Sequence, residues 1–264
     1  MAEKLQLRIY GDNSFPTLIY LPGLHGDWTL IGSFRKAVAG KVRFVEMTYP
    51  RTLTWSLDDY AAAIENALSE NGISNGWLLG ESFGSQPLWA LVARGNFQTK
   101  GIILAGGFVQ LPMYRLLQLA ERVAGNIALS LLTQIIFPVT NKMLAWLYVK
   151  LARVRFRHSS ETLAKINEFI ERRTPLDFHA ARHRLHLIAG SNFCETAKNA
   201  KVPIFALTGW LDPIVPWFIV RRWLRKYCPM LCDYRVIRGD HAVLVSAPKE
   251  TAKQILEWMR SFTI

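Results

Sequence analysis

The stretch "LLGESFGSQPL", Leu78–Leu88, has a serine between two glycines where an apolar run stops and a helix-like segment begins. A nucleophilic serine in such a turn adopts a strained conformation, and glycine two residues to either side avoids clashes with the crossing backbone. Gly80, Ser82 and Gly84 have this spacing. A plain surface turn is the alternative, because Gly-x-Ser-x-Gly also arises by chance.

Around this turn, apolar runs rich in branched and aromatic residues alternate with helix-like segments. Such alternation predicts right-handed crossovers and a mostly parallel sheet with helices on both faces, an α/β fold. Ser56–Gly72 is typical of the helices, since Ser56 can cap it, Asp59 completes a capping box and Gly72 can stop it. The predicted strands are Thr17–Leu21, Val42–Met47, Trp77–Gly80, Gly101–Gly106, Val202–Gly209 and Asp233–Ile237.

The alternation breaks between Phe108 and Ala200, where the sequence is helix-like without a convincing strand. We therefore predict one α/β core domain formed by residues 1–107 and 201–264, with a large helical cap, or lid, inserted at residues 108–200. The uncharged stretch Val123–Asn141 is about as long as a short membrane span, but polar residues and a proline interrupt it. A buried or interfacial helical pair is the favoured interpretation.

The predicted cap is basic, with 12 Lys or Arg and 5 Asp or Glu between Arg115 and Arg184, in a chain of net charge +12. Amphipathic helices of this kind mostly pack on their own protein and leave their charges solvated, which is the interpretation we favour. The alternative is peripheral contact with an anionic membrane through the basic cap. No recognised nucleic-acid module is present, so we expect no nucleic-acid partner.

The sequence favours a cytoplasmic protein, with membrane association as the alternative. Its three cysteines, Cys194, Cys228 and Cys232, are an odd number without disulfide-framework or zinc-site spacing. The N-terminal "MAEKLQLRIYGD" lacks the apolar core of a signal peptide. His179, His183 and His186 could share a helix face, but no glutamate lies within the first pair, so we predict no metal site.

A serine nucleophile needs a base and an orienting acid, which in this architecture follow in the order serine, acid, histidine at the ends of strands. Asp212 comes just after the apolar run that ends at Leu207, and His241 just after the run that ends at Ile237. Asp240 is a second candidate acid. Because adjacent loop residues rarely point at each other's far nitrogen, we favour Asp212.

With these motifs the chain resembles the α/β-hydrolase superfamily, over nearly its whole length except the predicted cap. The matching motifs are the elbow Gly80–Gly84, the acid loop Gly209–Pro216 and the histidine loop Gly239–His241. The resemblance implies Ser82 as nucleophile, His241 as general base and then acid, and Asp212 as the group that orients the imidazole.

The resemblance also implies an oxyanion hole formed by two backbone amides. One is that of Phe83, directly after the nucleophile. The second comes from the loop "LPGLHGDW", Leu21–Trp28, where Leu24 is the favoured donor. An alternative alignment gives Asp27, whose carboxylate would be a poor neighbour for a developing oxyanion.

We therefore expect the protein to be a serine hydrolase that acts through an acyl-enzyme. Its expected substrate is a carboxylic ester or thioester with an apolar or lipid-like acyl group. Trp28 and Trp210, near the site loops, are predicted to contact this small-molecule substrate. The chemistry requires no metal or organic cofactor. One alternative is an acyltransferase that uses the same triad. The other is a non-catalytic lipid- or ligand-binding protein, against which the complete, ordered triad argues.

Overall fold

A computed structural model of the chain describes residues 4–111, 160–212 and 214–262. Within these ranges, seven strands form one sheet in the spatial order β1-β3-β2-β4-β5-β6-β7. The edge strand β1 is antiparallel to β3, and the other neighbouring strands are parallel. The strands are β1 Gln6–Tyr10, β2 Thr17–Leu21, β3 Arg43–Thr48, β4 Asn75–Glu81, β5 Gln98–Ala105, β6 Ile204–Gly209 and β7 Leu231–Ile237.

The six predicted strands are confirmed with small shifts at their ends, and β2 has the predicted bounds. Strand β1 was not predicted. In the described ranges the helices are α1 Gly32–Val38, α2 Leu57–Glu70, α3 Ser85–Arg94, α4 Ser160–Glu171, α5 Pro175–Gly190, α6 Cys194–Asn199, α7 Trp217–Tyr227, α8 Val243–Ser246 and α9 Pro248–Ser261.

The sheet has a hydrophobic core on each face, as the side-chain alternation of β2 shows. Ile19 and Leu21 join the cluster that includes buried residues of α2 and α3. Leu18 and Tyr20 join the opposite cluster, which includes buried residues of α1 and α9. All four side chains are at most 1% exposed. The central strands are therefore buried on both sides, which is typical of a parallel sheet covered by helices.

The carboxyl ends of several strands are aligned at one edge of the sheet. Leu21 of β2 pairs with Gly80 of β4, Ala105 of β5 with Leu207 of β6, and Gly209 of β6 with Ile237 of β7. The chain continues from β2 to β3 on one side and places β4 on the other side of β2. The ends of β2 and β4 therefore lie at a topological switch point, where sheets of this type bind ligands.

The chain divides into two compact units, residues 1–112 with 179–264, and residues 113–178. The predicted cap at 108–200 stays a prediction, because much of it lies outside the described residues. Val123–Asn141 and many of the basic residues proposed to meet a membrane are also outside them. Among the helices that the structure describes, none is both long and apolar enough to cross a membrane.

The predicted cap of α2 is confirmed. Ser56 Oγ accepts a hydrogen bond from the Asp59 backbone N–H at 3.1 Å, and the Asp59 carboxylate accepts one from the Ser56 N–H at 2.8 Å. These bonds to Ser56 lower the pKa of the Asp59 carboxyl. The contribution of Asp59 to stability is therefore present above the ordinary carboxyl pKa and is lost as the pH falls through the lowered one.

We expect Ser56→Ala to lower the free energy of unfolding by about 1 kcal/mol at neutral pH, because it removes the oxygen that satisfies the Asp59 N–H. Urea denaturation measures the change. The matched control is Ser69→Ala, at an exposed position of the same helix, for which we expect a change within about 0.5 kcal/mol. Equal effects of the two substitutions would contradict the capping role.

Candidate active site

Ser82 follows β4 directly and has a backbone φ of +49°. Among the residues that the structure describes, it is the only non-glycine with a positive φ. This conformation costs about 1–3 kcal/mol and persists only where the surroundings enforce it. The sharp strand-to-helix turn predicted around Ser82 is therefore present. Its serine is only partly buried and lies at the switch-point edge, the edge of the sheet formed by the carboxyl ends of the parallel strands.

The two glycines of the turn are required because other backbone passes close to them. A Cβ atom on Gly84 would lie 2.8 Å from the Pro22 carbonyl oxygen and closer still to that of Leu21. A Cβ on Gly80 would lie 3.0 Å from both the nitrogen and the Cα of Ser85. Gly84 has an ordinary helical φ of −55°, so contact with β2, not backbone freedom, selects glycine there.

The structure brings Ser82, His241 and Asp212 into one hydrogen-bonded chain. His241 Nε2 lies 2.8 Å from Ser82 Oγ, and His241 Nδ1 lies 2.7 Å from Asp212 Oδ2. An ionised carboxylate can only accept hydrogen bonds, so Nδ1 carries the proton. In the neutral imidazole Nε2 is then an acceptor, aimed at the serine hydroxyl. This is the arrangement in which a histidine can remove the proton of a serine.

Asp212 is fixed by bonds that leave one oxygen for the histidine. Its Oδ1 accepts the backbone N–H groups of Ile214 and Val215, each at 2.9 Å. Its Oδ2 accepts the Thr208 hydroxyl at 3.4 Å as well as the imidazole. The residue is 7% exposed. The carboxylate is thus held by its own loop, which orients it toward His241.

Aligned strand ends and small residues let the acid and histidine loops meet over the sheet. The Trp210 N–H donates to the Ile237 carbonyl at 2.8 Å, and the Leu211 N–H to the Gly239 carbonyl at 3.0 Å. At the end of β5, a Cβ atom on Gly106 would lie 3.3 Å from His241 Cε1. The imidazole therefore packs directly over the backbone that follows β5.

The predicted oxyanion donors lie on two segments that touch each other. Phe83 is in the first turn after β4, where helical N–H groups have no carbonyl partner within their own helix. The loop after β2 makes a turn in which the Gly26 N–H donates to the Gly23 carbonyl at 2.9 Å. That turn bond does not use the Leu24 N–H. The alternative residue, Asp27, accepts the Thr29 N–H at 2.9 Å through its carboxylate.

A buried polar network behind the turn was not predicted from the sequence. Ser85 Oγ donates to the Ser82 carbonyl at 2.7 Å and accepts the Phe108 N–H at 3.2 Å. The Gln86 amide donates to the Phe108 carbonyl at 3.0 Å and accepts the Ser191 hydroxyl at 2.6 Å. The network links the serine turn to the segment after β5 and to the end of α5. The only sequence signal was a polar Ser-Gln pair opening an otherwise apolar helix.

Glu81, inside the serine turn, has a structural partner. The Tyr20 hydroxyl donates to its carboxylate across the β2–β4 pair. Burial, and then the adjacent Glu81 carboxylate, raise the pKa of Tyr20 well above its ordinary value. Tyr20 therefore stays protonated and remains a donor.

The two tryptophans predicted to contact substrate, Trp28 and Trp210, have different surroundings. The Trp28 ring packs with the α1 side of the core, and the Arg8 guanidinium lies 4.0 Å from its centroid. Trp210 is 62% exposed on the acid loop. Their contact with substrate stays a prediction. Of the predicted histidine face, His183 bonds the Trp55 carbonyl at 2.8 Å. The described residues contain no group of three His, Cys, Asp or Glu placed to hold a metal.

A family model described as the alpha/beta hydrolase fold matches residues 42–248. No curated protein matches the chain. Among solved structures, a thermophilic esterase from Thermogutta terrifontis superposes with a TM-score of 0.74 at 18% identity, over 98% of this chain and 94% of that one.

Two further structures give similar superpositions. The esterase RhEst1 from Rhodococcus sp. has a TM-score of 0.70 at 16% identity, over 98% of this chain and 95% of that one. The enol-lactonase from Burkholderia xenovorans has a TM-score of 0.69, also at 16% identity and with the same coverage. At sequence identities this low, the superpositions establish a common fold alone.

We expect Gly84→Ala to lower the free energy of unfolding by about 1–3 kcal/mol or more, because the added methyl group would overlap backbone that cannot yield easily. Gly190→Ala is the matched control, since a Cβ atom added at Gly190 would have nothing within 4 Å, and we expect it to change stability by less than about 1 kcal/mol. Chemical denaturation compares them. A Gly84→Ala protein as stable as the control would contradict the close approach.

Proposed function

The chain belongs to the α/β-hydrolase fold family, and we propose that it is a serine hydrolase that cleaves carboxylic esters. Ser82 is the nucleophile, His241 the general base and acid, and Asp212 the residue that orients the imidazole. The same chemistry cleaves thioesters, because both substrates present an acyl carbonyl and a leaving group.

One observation carries the proposal. The hydroxyl of a strained serine lies 2.8 Å from an imidazole whose other nitrogen lies 2.7 Å from a buried carboxylate. The three residues come from separate loops, yet they form a single chain of hydrogen bonds. Fold maintenance alone does not require a serine with a φ of +49° at this place.

In the acylation half-reaction, Ser82 Oγ attacks the acyl carbonyl carbon while His241 Nε2 takes the hydroxyl proton. The Asp212 carboxylate stabilises the resulting imidazolium. The tetrahedral intermediate collapses when the carbon–oxygen bond to the leaving group breaks. His241 returns its proton to the departing oxygen, which leaves as an alcohol, and the acyl group remains as an ester of Ser82.

In the second half-reaction, water takes the place of the alcohol. His241 removes a proton from the water, whose oxygen attacks the acyl carbon, and collapse releases the carboxylic acid and restores the Ser82 hydroxyl. In each step the negative oxygen faces the N–H groups of Phe83 and Leu24 in our proposal. Fixed donors aimed at this charge are worth about 10²–10³ in kcat each.

The acid loop supports an apolar acyl group. Trp210, Leu211 and Ile214 flank Asp212 and are 62%, 61% and 64% exposed. Large apolar side chains at such exposure are available to contact a bound hydrocarbon chain. The structural neighbours named above include two esterases and an enol-lactonase. We therefore propose esters of apolar carboxylic acids as the substrate class.

We expect the wild-type protein to hydrolyse p-nitrophenyl esters, with a preference for medium or longer acyl chains over acetate. Ser82→Ala should reduce kcat by at least about 10⁴-fold, because no other group can form the acyl-enzyme. Release of p-nitrophenol, followed from acetate to laurate, measures both effects. The exposed Ser69→Ala is the control. Equal turnover by wild type and Ser82→Ala would contradict the proposal.

The two neighbouring aspartates provide a matched test of the orienting acid. Asp212→Asn should lower kcat by about 10⁴-fold, because an amide side chain favours the wrong imidazole tautomer. Asp240→Asn changes the same chemical group next to His241 and should lower kcat by less than about 10-fold. Ester hydrolysis by the two variants decides between them. A larger loss at Asp240 would overturn the role of Asp212.

A further inference from the structure

Arg184, on α5, is a buried cation that the proposed chemistry does not use. Its side chain is among the largest that are fully buried, and the residue is 2% exposed. Burying a charge is costly unless hydrogen bonds replace its hydration. Within the described residues, the hydrogen-bond partners of the guanidinium are neutral oxygens: two backbone carbonyls and a hydroxyl.

These partners join two loops at the switch-point edge. Nη1 donates to the Leu24 carbonyl at 2.9 Å and Nη2 to the Pro50 carbonyl at 3.0 Å. Nε donates to the Tyr60 hydroxyl at 3.3 Å. Leu24 lies in the loop after β2, and Pro50 in the loop after β3. The planar fork of an arginine is suited to hold two acceptors in a fixed relation, which a single ammonium cannot do.

The loop after β2 is shaped to receive this guanidinium. Gly26 has a φ of +78°, and a Cβ atom there would lie 2.6 Å from Arg184 Cζ. The Gly26 carbonyl also accepts the Tyr49 N–H at 2.8 Å. The missing side chain at Gly26 therefore gives the guanidinium room against the turn that contains Leu24.

We propose that Arg184 is a positioning residue for the oxyanion hole, an inference that rests on the proposed function. The Leu24 N–H belongs to the peptide whose carbonyl, that of Gly23, is held by the Gly26 N–H. The next peptide carries the Leu24 carbonyl, which Arg184 holds. Because each peptide is planar, fixing both leaves little freedom at Leu24. Arg184 thereby fixes the direction of the donor N–H without touching the substrate.

Helix α5 has other anchors near Arg184, so removal of the guanidinium leaves the helix attached. His183 bonds the Trp55 carbonyl at 2.8 Å, and Ser191 bonds the Gln86 side chain at 2.6 Å. Ile188 joins the core cluster on the α2 and α3 side of the sheet. A change at Arg184 therefore acts first on the loops after β2 and β3, whose carbonyls the guanidinium holds.

The test compares Arg184→Met with Arg184→Lys in p-nitrophenyl ester hydrolysis. We expect Arg184→Met to lower kcat by about 10- to 100-fold, less than the loss of a whole oxyanion donor, with KM within about twofold because the donor acts mainly in the transition state. Arg184→Lys keeps the charge without the fork and should give an intermediate kcat. If Arg184→Met does not fold, Arg184→Lys against wild type carries the same test.

Arg35→Met is the matched control for loss of a guanidinium held by a buried oxygen. The Arg35 guanidinium donates to the fully buried Glu46 of β3 at 2.7 Å and lies over the ring of Tyr10 of β1. Neither partner belongs to the loop after β2. We expect this variant to lose stability while its kcat stays within about twofold of wild type. Hydrogen–deuterium exchange of residues 22–26 adds a readout independent of turnover. The exchange of these residues should be faster in Arg184→Met than in wild type and unchanged in Arg35→Met.

The outcomes separate this inference from the proposed function. A wild-type protein without ester turnover overturns both. If the wild type hydrolyses the ester and Arg184→Met has the same kcat as Arg35→Met, the role of Arg184 is overturned and the proposed function stands. A lower kcat with unchanged exchange of residues 22–26 also overturns it, because the loop would then hold its position without the guanidinium.

Discussion

The carbonyl oxygens of Leu21 and Pro22 approach the Cα of Gly84 so closely that no side chain could fit between them. This contact joins the end of β2 to the serine turn after β4. The loop that contains Leu24 therefore lies beside the turn that contains Ser82, the proposed nucleophile. The same tight turn holds Ser82 at a positive φ. The acid and histidine loops reach Ser82 because the ends of β6 and β7 are in register with each other and near that of β5. One close backbone approach and one aligned sheet edge thus assemble a site from four loops.

Much of this arrangement could be predicted because its signals are local. Apolar runs rich in branched and aromatic residues predicted the strands, and Ser56 with Asp59 predicted the start of α2. The order of Ser82, Asp212 and His241 could be found because each follows a strand, and parallel strands end at one edge. The edge strand β1 was missed. It is a short run of exposed or half-buried residues, and no helix separates it from β2, so it does not follow the alternation of strands and helices that identified the other strands.

The parts that support the site could not be predicted, because their partners are distant in sequence. Arg184 lies 160 residues from Leu24 and belongs to a basic segment in which other arginines look the same. Its burial depends on how α5 docks, which no local pattern encodes. Gln86 meets Ser191 across 105 residues for the same reason. The glycine at position 26 was visible in the sequence, but its purpose appears only once the guanidinium is seen packed against it.

If Ser82 is an activated nucleophile, a reagent that modifies activated serines will label it. The native protein would be treated with a fluorophosphonate and digested, and the modified residue located by mass spectrometry, with unfolded protein as the control. We predict one adduct, on Ser82, in the native protein and none after unfolding. An unlabelled native protein, or an adduct on another serine, would contradict the assignment of Ser82 as the nucleophile.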